Sequence, residues 1–139
     1  MKILVIHGPN LNLIGVWSSK NNSKRLTLDK INREIRKYIR TKNIDIKIMQ
    51  SNSEDKIVSY IQKNRNKIDG IIITPGPLQK SGYILNDLLQ LLETPFITIS
   101  YNKNDKVSLL NGLENFNEEN IFASFYKAID LIIKELENE

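Results

Sequence analysis

The sequence predicts a three-layer α/β domain with a parallel sheet, and two observations carry that prediction. Short apolar runs, the first of them at residues 2–7, alternate with longer segments whose apolar residues recur at helical spacing. Such alternation is typical of consecutive βαβ units, in which helices cover both faces of a parallel sheet. The run at 70–74 is apolar at most of its positions. We therefore expect it to be a central strand that is buried on both faces.

The remaining elements follow from the same two periodicities. Further strands are predicted at residues 44–49 and 96–100, the former nearer an edge of the sheet. Helices are predicted after the capping residues Thr27 and Ser53, to about residues 40 and 66, and over 79–92 and 118–137. Residues 16–26 are polar and rich in turn formers, which predicts a mobile loop. Trp17 in that loop either closes over a ligand or packs at a subunit interface.

These elements favour one flavodoxin-like domain over residues 1–139, with strand order 2-1-3-4 and an atypical fifth segment. In such sheets a ligand binds at the switch point between strands one and three, where residues 7–10 would face 74–77. Only residues 101–106 separate the fourth strand from the next apolar run, and a parallel crossover needs about a dozen residues. We therefore expect the run at 107–110 to turn back as an antiparallel edge strand or to lie as irregular chain.

Composition restricts the chemistry. The chain has no cysteine and a single histidine, His7. Disulfides, thiolate or multi-histidine metal sites and a serine-histidine-aspartate triad are thereby excluded, and we expect no metal, no cofactor and a cytoplasmic protein. No apolar run reaches the roughly 18 residues of a membrane span. Ten of the lysines and arginines lie between Lys20 and Lys47, which we interpret as a solvated helix face rather than a nucleic-acid patch.

His7 ends the first strand at the predicted switch point. An imidazole there can serve as a general acid or base. A hydrogen-bonded ring in a packing role is the alternative, and it is the interpretation we favour. No phosphate-binding motif of the P-loop or dinucleotide type accompanies it.

Several motifs resemble the type II 3-dehydroquinate dehydratases. They are G-P-N-L-N-L at 8–13 with Gly15, Q-S-N at 50–52 with Glu54, D-G-I-I-I at 69–73 with Pro75-Gly76, and L-x-D at 85–87. The resemblance covers roughly residues 1–100 and the last helix. It implies a lyase of the shikimate pathway that forms trimers and dodecamers, with Asp87 at a position that reaches a neighbouring subunit.

The resemblance also implies a division of labour that this chain keeps only in part. The family uses a loop tyrosinate as base, a loop arginine that lowers the pKa of that tyrosine, an asparagine that helps hold a water at the enolate, and a histidine as acid. Asn10 matches the asparagine. The loop at 16–23 contains neither the tyrosine nor the arginine, and Ser100 stands at the position of the histidine. Lys80 and Thr74 replace a substrate-binding histidine and asparagine, and the arginine-bearing segment after strand four has no counterpart.

Because each positioned acid or base contributes on the order of 10²–10⁴-fold, loss of both removes most of the catalysis. We therefore interpret the chain as a divergent homologue, non-catalytic or altered in activity, that binds a small polar ligand or a partner. Two alternatives stay open: a working dehydratase with rewired groups such as Tyr101, and a basic binding module for nucleic acid or an anionic protein. The residues expected to bind ligand share a place near the strand ends: His7, Pro9, Asn10, Asn52, Thr74, Gly76, Lys80, Ser81, Ser100 and Asn102.

Overall fold

The computed structural model describes residues 1–20, 25–101 and 109–138. Within them, five parallel strands form one sheet in the order β2-β1-β3-β4-β5. The strands are β1 (Lys2–His7), β2 (Asp45–Gln50), β3 (Gly70–Thr74), β4 (Phe96–Ile99) and β5 (Asn115–Phe116). The helices are α1 (Ile14–Lys20), α2 (Leu28–Tyr38), α3 (Glu54–Asn64), α4 (Leu78–Ser81), α5 (Tyr83–Leu92) and α6 (Ile121–Glu137), with 3₁₀ turns at Leu11–Leu13 and Arg65–Lys67.

The predicted flavodoxin-like order is confirmed. β1 pairs in parallel with β2 on one side and with β3 on the other, and β3 pairs with β4. β3 is buried at every position, as its continuous apolar run predicts. The two predicted caps are also present, since Thr27 Oγ1 and Ser53 Oγ each accept a hydrogen bond of 3.2 Å from the third backbone N–H that follows.

Two apolar layers enclose the sheet. Alternate residues of β1 point to opposite faces, so Ile3 and Val5 pack against α2 and α6 while Leu4 and Ile6 pack in the layer that contains α3 and α5. Phe125 of α6 is the largest fully buried side chain. The sheet is thus covered on both faces, and its strand ends are where polar groups can gather.

The predicted loop at 16–26 is wrong for residues 16–20, which belong to helix α1. Ile14 and Ser18 are buried one helical turn apart. The Ser18 hydroxyl donates to Gly15 O at 3.0 Å and accepts from Leu26 N–H at 3.1 Å. This docking onto the chain before α2 stabilises a helix that its polar composition does not indicate. Residues 21–24 lie outside the described part of the chain.

The predicted helix at 79–92 is divided at Gly82 into α4 and α5. A Cβ at Gly82 would lie 2.7 Å from Leu78 O. The close approach of these backbone atoms requires glycine and separates the two helices.

A parallel fifth strand does follow β4, but not at the apolar run at 107–110. Thr98 and Ile99 pair in parallel with Asn115 and Phe116. The connection comprises residues 100–114, which exceeds the dozen or so that a parallel crossover needs. The strand therefore lies further along the chain than the apolar run that we considered. Of that run, residues 109 and 110 lie as irregular chain, as one of our two alternatives had it, and 107 and 108 lie outside the described residues.

The side chain of Gln79 bonds to the backbone of Leu110 in the way that a neighbouring strand would. The Gln79 amide donates to Leu110 O at 3.2 Å and accepts from Leu110 N–H at 2.9 Å. Leu110 is fully buried and Gln79 nearly so. Because buried backbone groups need partners, this pair of hydrogen bonds fixes the returning chain beside α4.

We expect Gln79→Leu to lower the free energy of unfolding by about 2–4 kcal/mol, since it leaves the buried N–H and carbonyl of Leu110 unpaired. The matched control is Gln62→Leu, at an exposed position on α3, and it should change stability by less than about 0.5 kcal/mol. Urea denaturation of the two variants measures the difference. Equal midpoints would show that Gln79 does not hold the segment.

Candidate functional site

The turns that follow β1 and β3 meet at the switch point of the sheet. Gly8 N–H donates to Thr74 O at 2.9 Å, and a Cβ at Gly8 would lie 2.7 Å from the same oxygen. Gly76 adopts a φ of 57°, and its Cβ would approach Pro9 O to 3.1 Å. Because the two turns pack backbone to backbone, Pro9 and Gly76 are brought together as the switch-point interpretation requires.

Amide side chains hold the other side of the turn after β1. Asn10 is exposed and adopts a left-handed conformation, with φ 71° and ψ 0°. Its N–H donates to Asn52 Oδ1 at 3.0 Å, and Gln50 Nε2 donates to the same oxygen at 3.1 Å. Gln50 also approaches Gly8 O at 3.3 Å. We did not expect a role for Gln50, although its place beside Asn52 at the end of β2 was a usable signal.

His7 lies beneath the site rather than in it. Its ring is fully buried, and its edge meets the ring of Phe125 at 5.7 Å between centroids. Nε2 is 2.8 Å from Asn32 Oδ1 of α2, so this nitrogen carries the proton. Burial lowers the pKa of His7 to about 4, against the opposing effect of the Asn32 hydrogen bond. The buried, neutral ring fits the packing role that we favoured, and its burial is at odds with our expectation of direct ligand contact.

Thr74 is the neighbour of His7 in the β1–β3 register. It is 1% exposed, and its hydroxyl oxygen has no hydrogen-bond partner among the described residues. The position that the resemblance assigns to a substrate-binding asparagine is therefore closed to solvent.

The end of β4 carries hydroxyls that bond within the protein. Thr98 Oγ1 and Ser100 Oγ both donate to Asn115 Oδ1 of β5, at 2.7 and 3.3 Å. Ser100 is 5% exposed. Since β5 was not predicted, Asn115 was missed, and a two-residue strand leaves no periodicity by which to find it.

The remaining candidates are spread around the rim. Tyr101 is half-buried, and its ring meets that of Trp17 edge to face at 5.4 Å between centroids. Lys80 and Ser81 are exposed on α4, where the Ser81 hydroxyl donates to Pro77 O at 3.3 Å. Asp87 is exposed on α5. Asn102 lies outside the described residues.

Across 1–20, 25–101 and 109–138, no group of three or more histidine, cysteine, aspartate and glutamate side chains is arranged to hold a metal ion. Over the same part of the chain, no helix combines the length and the apolar character needed to cross a membrane.

The fold defines an α/β protein of the flavodoxin-like type in which the turns after β1 and β3 meet at the carboxyl edge of the sheet. Comparison with known proteins identifies its family. The family described as dehydroquinase class II matches residues 1–128. The 3-dehydroquinate dehydratase of Halothermothrix orenii is 34% identical over 128 residues, which cover 88% of this chain and 78% of that protein. The 3-dehydroquinate dehydratase of Dictyoglomus turgidum is 34% identical over 123 residues, covering 88% of this chain and 80% of that protein.

Solved structures agree. The type II dehydroquinase of Butyrivibrio crossotus superposes with a TM-score of 0.81 at 27% identity, covering 96% of this chain and 97% of that one. A 3-dehydroquinate dehydratase-like protein from Bifidobacterium longum shares the fold, with a TM-score of 0.73 at 15% identity; the match covers 98% of each chain. This chain belongs to the type II dehydroquinase family.

The buried imidazole makes stability depend on pH. Between pH 6.5 and about 4 the unfolded chain binds a proton at His7 that the folded chain does not. Protonation of His7 therefore has no effect on the free energy of unfolding above pH 6.5. As the pH falls from 6.5 to about 4, it lowers that free energy by about 3 kcal/mol in all. His7→Leu should remove this part of the pH dependence and leave that of the carboxylates. Parallel curves of unfolding free energy against pH for the two proteins would contradict the expectation.

Proposed function

We propose that this chain binds a small polar ligand at the carboxyl edge of its sheet but does not dehydrate 3-dehydroquinate at a rate useful to a cell. The observation that carries the proposal is the hydrogen bond from Ser100 to Asn115. At the position where the family resemblance implies the acid, the hydroxyl proton is directed into the protein.

Neither Ser100 nor His7 is an evident substitute for the acid. Departure of a hydroxyl requires a proton from a group whose pKa lies near the working pH. A serine hydroxyl does not meet that condition. The single histidine is neutral, buried and bonded to Asn32, so it cannot deliver a proton at the rim.

The base step lacks support as well. A tyrosinate base needs a lowered pKa, whereas the Asp130 carboxylate bonded to Tyr38 raises the pKa of that tyrosine to about 12. Burial and the hydrogen bond to Glu34 raise the pKa of Tyr126. Both tyrosines lie on the α2–α6 surface, away from the strand ends. Tyr101 lies at the rim. It is the residue that would act as acid or base in the alternative, a dehydratase with rewired groups.

Ligand binding is supported by what the edge retains. Asn10, Asn52 and Lys80 are exposed around the switch point, and they offer amide and ammonium donors to the oxygens of a small polar molecule. Rigid turns hold the first two. A pocket of this kind can recognise a ligand without performing proton transfer.

We infer further that the chain forms a homo-oligomer, with a trimer as the state that the family resemblance implies. Tyr83, Ile84 and Leu91 on α5 are 68, 66 and 72% exposed. Their spacing, together with Asp87, follows one face of the helix. An apolar face of this kind supports a contact between copies of the chain.

Purified protein should show no appreciable formation of the conjugated product from 3-dehydroquinate. Among the residues that the structure describes, neither Ser100 nor His7 is suited to act as the acid, and neither Tyr38 nor Tyr126 is suited to act as the base. Ultraviolet absorbance of the product measures it. A turnover within about tenfold of an ordinary enzyme's 10 s⁻¹ would contradict the proposal. Titration of the same compound, followed by the fluorescence of the only tryptophan, Trp17, tests binding separately.

Light scattering at micromolar concentration should give a mass that is a multiple of the 16.1 kDa of one chain. Leu91→Lys places a charge in the proposed contact and should shift the protein towards monomer. The control Leu113→Lys changes a leucine that is 44% exposed and belongs to the segment before β5, and it should not. A wild-type protein that is wholly monomeric would exclude this contact.

A further inference from the structure

Hydrogen bonding between the β1 and β2 sides of the sheet continues past the last backbone pair, through a side chain. His7 is the partner of Gln50 in the last register pair, and Ser51 N–H donates to His7 O at 3.1 Å. Beyond that point the chain after β1 turns away as Gly8-Pro9-Asn10. Asn52 Oδ1 then accepts the Asn10 N–H at 3.0 Å. A side-chain carbonyl thus takes the place of the next backbone acceptor.

Asn10 needs such a partner. A residue other than glycine in the left-handed region is uncommon and is retained where its surroundings enforce it, although asparagine tolerates it better than most. The Asn10 carbonyl accepts from Leu13 N–H at 2.9 Å. With the N–H bonded to Asn52, both backbone groups of Asn10 are engaged, and its exposed side chain is left at the mouth of the site.

The orientation of the Asn52 amide follows from the chemistry of its partners. A backbone N–H can only donate, so the atom that faces Asn10 must be the oxygen. The same oxygen accepts from Gln50 Nε2 at 3.1 Å. Its amide hydrogens remain for other acceptors. Asn52 also lines a cleft of about 510 Å³ with Gln50, Lys56 and Tyr60 among its walls.

We propose that Asn52 is the positioning residue of this site: its side-chain oxygen holds Asn10 in the left-handed conformation that presents the Asn10 side chain to a ligand. The binding half of this inference rests on the proposed function. The positioning half does not, because it concerns a hydrogen bond within the protein. Asn52 then influences a ligand through Asn10.

Amide hydrogen exchange of Asn10, followed by nuclear magnetic resonance, tests the positioning directly. Asn52→Ala should speed the exchange of the Asn10 amide by roughly tenfold, the equivalent of one lost hydrogen bond. Asn52→Asp keeps an acceptor oxygen and should preserve the slow exchange. The amides of Gly8 and Leu13, which bond elsewhere, should keep their rates in both variants and so report that the fold is intact.

The matched control is Asn12→Ala. Asn12 belongs to the same turn, and its side-chain oxygen lies 3.5 Å from Gln50 Nε2. This substitution should leave the Asn10 amide unchanged. Asn10 exchange that is equally slow in the wild type and in Asn52→Ala would overturn the proposal.

Titration with 3-dehydroquinate tests the consequence for binding. Asn52→Ala and Asn10→Ala should weaken binding by similar factors, and the double variant should be little weaker than either, because the two residues act as one unit. Additive losses would show that Asn52 acts independently of Asn10 and would overturn the positioning role. If the wild type fails to bind this compound, 3-dehydroquinate is not its ligand, and the exchange experiment still decides the role of Asn52.

Discussion

The close contact between the end of β3 and the turn after β1 is the constraint on which the rest of the site depends. Gly8 N–H reaches Thr74 O at 2.9 Å, and no Cβ fits at Gly8 because it would lie 2.7 Å from that oxygen. The two strands therefore stay paired until both turns begin. A larger residue at position 8 would separate the turns and displace Asn10 and Gly76 together. The chemistry of the edge thus depends on a backbone contact in which no functional side chain takes part.

The same pairing determines what happens to the only histidine. Strand alternation places His7 on the face that carries Ile3 and Val5, inside the layer formed by α2 and α6. Burial there favours the neutral ring, and Asn32 holds its proton. An imidazole at a strand end suggests proton transfer when the sequence is taken alone. Because side chains alternate along β1, the imidazole of His7 instead lies in the core.

How far the sequence predicts this molecule depends on how local each signal is. The strand order and the caps at Thr27 and Ser53 were predictable, because hydrophobic period and capping chemistry involve residues close in the chain. Helix α1 was not, because it is stabilised by the contact of Ser18 with Leu26. The same distinction between local signals and distant contacts applies to the residues of the site. Motif residues could be placed at the strand ends, whereas partners such as Asn115 lie on distant elements and carry no local signature.

The β2 side and the β4 side of the sheet edge share a property of their hydrogen-bonding groups. On the β2 side, Asn10 is held by the oxygen of Asn52. On the β4 side, the hydroxyls of Thr98 and Ser100 converge on the oxygen of Asn115. Amides and aliphatic hydroxyls neither gain nor lose a proton in the range where proteins work. These groups orient hydrogen bonds without moving protons. Neutral groups on these two sides are what the ligand-binding function proposed above requires.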